Sequence, residues 1–415
     1  MLPEGSPQIR TAGLVNKRRS RSFAGLRAVV CAATLLTSSG VLAATAPLSG
    51  DQANALAKAA ARGDAGAVSQ LLKAAKSGSA EAALSIALLY YRGEPVQQDF
   101  TQALAWFEQA AKGGNVSAMT LAGHMYQEGL GTAQDYAKAR QLYERAANEG
   151  DGAGANNLGW LFLNGLGVKA DPAQALRWFQ KAAEASHPVA MYNVGYVFEE
   201  GLGVTAAPAQ ALEWYGRSAE LGNIGAMKAA ARLYAGGRGI QPDGTLAVRW
   251  LEKAAGLGDR ESHRTAGDLY EAGKIVPRDL NAAAGHYERA AEAGDALAQL
   301  KLGRFYQDGL GVAQDYKKAA GWYRRAADQS NAAAQNRLGY LYQKGLGVEA
   351  DASQAFRWYE RAAQAGDPNA LFNLGLLYED GVGVKQDVDK AFDLYAAAAR
   401  RGHPQARRLL GNAFR

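Results

Sequence analysis

The sequence predicts an all-α solenoid of helix–turn–helix repeats. Three observations carry that reading. One pattern recurs every 36 residues from position 79 onward, without insertion or deletion. An aromatic marks the register ten times, at Tyr90, Tyr126, Phe162, Phe198, Tyr234, Tyr270, Tyr306, Tyr342, Tyr378 and Phe414. Small residues dominate, with 49 Gly among 415 residues and only 11 Pro, a composition that lets helix backbones approach one another. Self-similarity at a fixed period of this length is the signature of a stacked array.

The chain opens on a leader. Residues 1–46 carry six basic residues and one acid. Lys17-Arg18-Arg19-Ser20-Arg21 precedes an apolar run from Ala28 to Leu36, and Ala44-Thr45-Ala46 offers a small-residue cleavage site. Positive region, short apolar core and A-x-A site read as a secretory signal. The run is shorter than the roughly 20 residues a permanent span needs. The chain's formal charge is +6, but the part after residue 46 has 40 basic against 39 acidic residues. A basic body, the footprint of nucleic-acid binding, is therefore not expected. The single cysteine, Cys31, lies in the leader. A mature chain without cysteine has no disulfide, no zinc–thiolate site and no cysteine nucleophile.

Residues 47–78 do not fit the period. Asp51–Arg62 and Ala65–Lys76 read as two Ala-rich helices around Gly63-Asp64. They are expected to cap the first repeat, because terminal units must cover an exposed face.

Each unit then reads as helix A, a Gly loop, helix B and a short turn. A Gly stands three residues after the register aromatic in nine of nine copies, Gly93 to Gly381. That is the position just past a helix, where left-handed backbone favours Gly. A second Gly follows two residues later in seven of nine copies, and then Asp in eight of nine, with Ala207 the exception. Asp there caps helix B. Helix B carries Ala four residues on, then a Trp column at 106, 178, 214, 250, 322 and 358, with Leu142, His286 and Leu394 in its place elsewhere. Asn, Asp or His caps the next helix A, followed by Pro at 188, 368 and 404, tolerated in a first turn. An interior Gly three residues before the aromatic costs about 1 kcal/mol against Ala. The expected compensation is close packing by the Ala column of helix B. The Trp and Tyr columns are expected to be core between repeats.

The pattern resembles the Sel-one-like repeat, a relative of the tetratricopeptide repeat. The copy at Ala298, Leu302-Gly303, Tyr306, Gly309, Gly311-Val312, Asp315, Lys318-Ala319, Trp322-Tyr323 and Ala326-Ala327 carries it almost completely. The resemblance spans nine repeats, 79–403, plus a truncated tenth, 404–415. It implies a right-handed α-solenoid. It also implies an extracytoplasmic adaptor of a bacterium, periplasmic or secreted, acting in envelope assembly, exopolysaccharide production or signalling.

Catalytic chemistry is not apparent. There is no H-E-x-x-H, G-x-S-x-G, S-x-x-K or P-loop. The five His are scattered, with no two at ligand spacing. No enzyme, metal or cofactor is expected, and a cell-wall or β-lactam hydrolase is a remote alternative. The tetratricopeptide relation places the concave surface on helix A, at the residue after its Gly and the residue four earlier. These share one helix face. The candidate partner-binding residues are Asn156, Trp160, Tyr192, Tyr196, Lys228, Arg232, Arg264, Arg304, Asn336 and Tyr340. Aromatic and Arg side chains anchor interfaces. The expected partner is a protein or an extended acidic peptide. Glycan binding, by stacking on Trp160 and Tyr196, is the alternative.

Overall fold

The structure, a computed structural model, describes residues 48–237 and 239–411. The leader, Cys31 and Phe414 lie outside the described residues. The described chain is all-helical, with 21 helices. It forms two compact units. The first runs to Val194 and includes Leu202–Val204, and the second comprises Gly195–Gly201 and Thr205 onward.

The first unit opens with α1 (Gly50–Ala61) and α2 (Ala65–Lys76). Three hairpins follow: α3 (Ala80–Arg92) with α4 (Phe100–Lys112), α5 (Val116–Glu128) with α6 (Tyr136–Asn148), and α7 (Gly152–Asn164) with α8 (Pro172–Glu184). Helix α9 (Pro188–Glu200) passes from the first unit into the second. The second unit continues with α10 (Pro208–Glu220) and four hairpins. These are α11 (Ile224–Tyr234) with α12 (Gly244–Gly256), α13 (Arg260–Ala272) with α14 (Leu280–Glu292), α15 (Ala296–Asp308) with α16 (Tyr316–Asp328), and α17 (Ala332–Lys344) with α18 (Ala352–Gln364). Then come α19 (Pro368–Asp380) with α20 (Val388–Arg400), and α21 (Pro404–Leu409). Odd-numbered members of the hairpins are helix A and even-numbered ones helix B.

The caps form as the residue types dictate. Each Asp before helix B accepts the backbone N–H three residues on, as in Asp135 from Lys138 at 2.9 Å. Ala207 leaves α10 without a side-chain cap. Its own N–H still bonds the carbonyl of Phe198 at 2.8 Å, as the capping Asp N–H does to the register aromatic elsewhere. The register position is thus tied through its backbone to the start of helix B. One loop departs from expectation. Gly237 is not left-handed, because α11 ends early at Tyr234 and Gly236 takes the positive φ of 127°.

The second loop Gly, apart from Gly239, meets the backbone that opens the preceding helix B. A Cβ on Gly311 would lie 2.2 Å from the Leu280 carbonyl oxygen, and one on Gly347 2.2 Å from the Tyr316 carbonyl carbon. In one loop that Gly is replaced by Ile275. There the opposite partner is Gly244, whose own Cβ would lie 2.3 Å from the Ile275 oxygen. The contact needs one missing Cβ, and either side supplies it.

The core differs from the expected column. The Trp residues are half-buried, apart from Trp358; over all of them but Trp106 lies a cation three residues on, as Arg217 over Trp214 at 4.3 Å. The column after Trp is the buried one: Phe107, Tyr143, Phe179, Tyr215, Tyr287, Tyr323 and Tyr359 are all fully enclosed. Each of these rings apart from Phe107 lies on the interior Gly of its own hairpin. A Cβ on Gly303 would stand 2.6 Å from Tyr323, and one on Gly339 2.8 Å from Tyr359. The interior Gly therefore makes room mainly for a ring, with the Ala-column backbone as its second neighbour, as Ala175 is to Gly159 at 3.0 Å.

Candidate binding surface

The buried tyrosine column sets the chemistry beneath the exposed face of helix A. A buried phenol needs an acceptor, because an unpaired hydroxyl away from water costs free energy. The acceptor comes from helix A, sixteen residues earlier. Tyr143, Tyr323 and Tyr359 donate to the amide oxygens of Gln127, Gln307 and Gln343, each at 3.0 Å. Tyr215 donates to the Glu199 carboxylate at 2.7 Å, and Tyr395 to Glu379. Tyr287 lies 2.7 Å from Asp268 and also reaches Glu271. Where the ring has no hydroxyl, the acceptor is gone as well: Leu163 matches Phe179, Ala235 matches Leu251, and Tyr91 packs edge-on against Phe107. This pairing of columns is readable in the sequence, in nine copies of nine. It escapes a column-by-column reading because its two members lie on different helices.

Two of the three glutamate acceptors, Glu199 and Glu271, carry a cation from the next helix A; at the same register past Glu379 the sequence has Asn412. Arg232 bonds Glu199 at 2.6 and 2.8 Å, and Glu199 is almost wholly buried. Arg304 bonds Glu271, which Lys301 also reaches at 3.2 Å. Burial raises the Glu271 carboxyl's pKa, but the Tyr287 hydroxyl, Lys301 and Arg304 outweigh it and hold it below the ordinary range. Burial, then the Glu271 and Asp268 hydrogen bonds, pushes the Tyr287 phenol far up.

The remaining expected cations are paired too. Lys228 contacts Glu261, and Asp259 at 3.6 Å. Arg264 lies 3.2 Å from Glu261 and 3.5 Å from both Asp268 and Asp295. The middle of the second unit is a compensated ladder of charges instead of a bare basic strip.

The expected face is exposed at the residue after the helix A Gly, where nine of nine side chains reach solvent at least in part. Trp160, Tyr192 and Tyr196 are half-buried, and Tyr340 is exposed. Asn156 and Asn336 depart from expectation, being buried. Asn193 donates to Asn156 at 2.8 Å, and Asn373 donates to Asn336 at 2.9 Å. A short amide that finds a partner on the next helix A is drawn in, whereas Lys and Arg at the same register reach out.

The two amide pairs have the same surroundings in sequence. Asn156, Trp160, Tyr192 and Asn193 belong to the first unit; Asn336, Tyr340, Phe372 and Asn373 occupy the same register five periods later, in the second. The second set lines a cavity of about 220 Å³ with Arg337, Asn369, His403 and Gln405. His403 stacks on Phe372, centroids 4.4 Å apart, and its Nδ1 accepts the Ala406 N–H. Burial lowers its pKa.

The scattered histidines are partly brought together. His263 and His286 approach to 3.3 Å between Nδ1 atoms, with Tyr270 stacked on His286. Burial lowers both pKa values; Arg289 adds to it at His263, His263 and then Arg289 add to it at His286, and the Glu252 carboxylate opposes the shift at each. Among the described residues no group of three or more His, Cys, Asp or Glu is placed to hold a metal. No described helix is long and apolar enough to cross a membrane.

The family model for the Sel1 repeat matches nine segments, from 78–115 to 368–403. Two solved structures are similar over most of the chain. A protective antigen of uropathogenic Escherichia coli with an SLR fold is 32% identical, with 84% of this chain and 82% of that chain covered and a TM-score of 0.58. A Sel1 repeat protein from Oxalobacter formigenes is 28% identical, with 75% and 93% covered and a TM-score of 0.59. No curated protein matches the chain.

Proposed function

The chain belongs to the Sel1 repeat family, and from that premise we propose that it is an exported, non-catalytic scaffold that binds a protein or peptide through the exposed face of its A helices. Repeat scaffolds of this fold generally serve protein–protein interaction. The observation that carries the reading is the residue after the helix A Gly. Its neighbours build the repeat, while it reaches solvent in every copy and changes type from Trp160 through Arg232 to Tyr340. Rigid aromatics at such positions supply contact area at low entropic cost. The leader reading supports a periplasmic or secreted location in a bacterium. Envelope assembly, exopolysaccharide production and signalling regulation are the settings that suit it.

The ion pairs change the expected partner. Lys228, Arg232, Arg264 and Arg304 already have carboxylates, so a purely acidic segment gains little there against the lost internal pairs. The aromatic residues and the amide pairs are the better anchors. The amide and aromatic lining of the 336–405 cavity favours glycan recognition as the second reading.

The test is crosslinking capture from an envelope extract with residues 47–415. A Trp160→Ala/Tyr340→Ala variant of equal helicity serves as control. Arg232 is left intact because it holds Glu199. A protein captured by the parent and lost by the variant supports the reading. The same protein captured by both moves the site off this face. A glycan retained where no protein is captured favours the second reading.

A further inference from the structure

We propose that the cavity at 336–405 grips the backbone of an extended peptide and reads one acidic side chain of it; this rests on the protein-binding reading above.

Charge is the first argument. Lys228, Arg232, Arg264, Lys301 and Arg304 on the A helices of the second unit each have a carboxylate within 4 Å. Arg337 is different. It is exposed at the cavity, makes no ion pair among the described residues, and no acidic side chain lines the cavity. A guanidinium without an internal partner is matched by a carboxylate from the ligand, which it binds in a bidentate fork.

Hydrogen-bond inventory is the second. In the Asn373→Asn336 bond one N–H and one carbonyl oxygen are consumed. Asn336 keeps its amide N–H₂ and Asn373 keeps its amide oxygen. A donor and an acceptor on neighbouring helices match the C=O and N–H of an extended peptide, which has no internal hydrogen bonds of its own. The internal bond fixes the orientation of both amides before any ligand arrives, which lowers the entropic cost of binding.

Size and lining are the third. About 220 Å³ is below the roughly 300–1,000 Å³ of sites for drug-sized ligands. The cavity therefore seats one residue of a chain that continues past it. The stacked Phe372 and His403 rings both line the cavity. With Nδ1 accepting from Ala406, His403 is the neutral tautomer bearing its proton on Nε2, a further donor. The equivalent amide pair in the first unit carries Asn157 at the Arg337 register, so acid selection is confined to the second unit.

The probe is a phage-displayed library of random unstructured 12-residue peptides, panned on residues 47–415. Arms with an oligo-uronate and a neutral chito-oligosaccharide run beside it. Expected are peptides enriched in Asp or Glu. Their binding should weaken about tenfold or more in Arg337→Ala, as loss of a charged hydrogen bond implies, and about threefold to tenfold in Asn373→Ala, as loss of a neutral one implies. Arg337→Glu should select Lys or Arg peptides instead, a swap that misfolding cannot mimic. Asn193→Ala, the matching change in the first unit, should leave acid selection intact. Acidic peptides that bind Arg337→Glu equally well would overturn the cavity assignment while leaving the protein-binding reading standing. No enriched peptide, with a protein still captured from extract, overturns it in the same way. Oligo-uronate binding lost in Arg337→Ala, with no peptide binding, would overturn both.

Discussion

Two stretches of the second unit solve one problem differently. Around α13 and α15 the buried Tyr287 hydroxyl lies between the Asp268 and Glu271 carboxylates, with one proton for the two, and Arg304 and Lys301 stand over them. Around α17 and α19 the buried Tyr359 donates to the neutral Gln343, and the residue above it is Leu376. Tyr323 and Gln307 follow the neutral pattern, with Tyr340 above. The ring and the Gly beneath it are the same in both. The difference teaches that the choice of acceptor decides whether the surface above is committed or free. At Glu199 and Glu271 the acceptor is matched by a cation that closes the face electrostatically, whereas Glu379 has none among the described residues. A Gln acceptor needs none, and the residue above it is Trp160, Tyr340 or Leu376.

Four measurements test that comparison. The largest effect should be common to both stretches. Gly303→Ala and Gly339→Ala each force a Cβ into a buried ring, and overpacking of this kind costs about 1–3 kcal/mol. Arrays unfold in segments, so hydrogen exchange of the affected repeats is the readout. A loss in one stretch only would break the claim that the ring contact is shared.

Next, Tyr287→Phe should cost about 1.5–3 kcal/mol and Tyr359→Phe about 0.5–1.5, as bonds to charged and neutral acceptors differ. Equal losses would show that the carboxylates gain nothing from the phenol.

Third, Glu271→Gln and Arg304→Tyr should each destabilise, by about 1 kcal/mol, while the double variant recovers most of it. The double variant rewrites the charged level as a neutral one, and neighbours in one network are expected to be non-additive. Simple additivity in the cycle would sink the coupling.

The smallest effects concern pH. The Glu271 pKa is held below its ordinary value. Its contribution is present above the ordinary carboxylate range and is lost as pH falls through the folded value. Exchange protection of α13 should therefore fall on acidification, and Glu271→Gln should remove that dependence. His263 and His286 act at higher pH. Their folded pKa values lie below the ordinary value of 6.5, so stability falls as pH drops from about 6.5 toward the folded values. His286→Trp, the residue usual in that column, should flatten this part of the profile; an unchanged slope would assign it elsewhere.

Much of this was legible in sequence. Period, caps and loops follow from residue type, because Gly at positive φ and Asp before a helix act locally. The nine-repeat organisation and the family resemblance rest on such columns. What was not legible depends on neighbouring helices. Arg232 and Arg304 look like free anchors until Glu199 and Glu271 are placed beneath them. Asn156 and Asn336 look exposed until Asn193 and Asn373 draw them in. The Trp column looks like core until the ring after it is found against the Gly. The signal existed as matched substitutions between columns 16 and 33 residues apart. A reading along single columns passes over it.

The acceptor–cation match also bears on how such an array gains or loses units through recombination. Excision of any 36 residues keeps the frame and the caps. Removing one period between Glu199 and Arg232 would bring Asp268 into the place of Arg232, setting two carboxylates against each other. Removing one between Gln307 and Tyr340 would bring Leu376 there, and the amide tolerates that. Gene lineages should therefore vary in repeat number within the neutral stretch and hold it constant across the charged one.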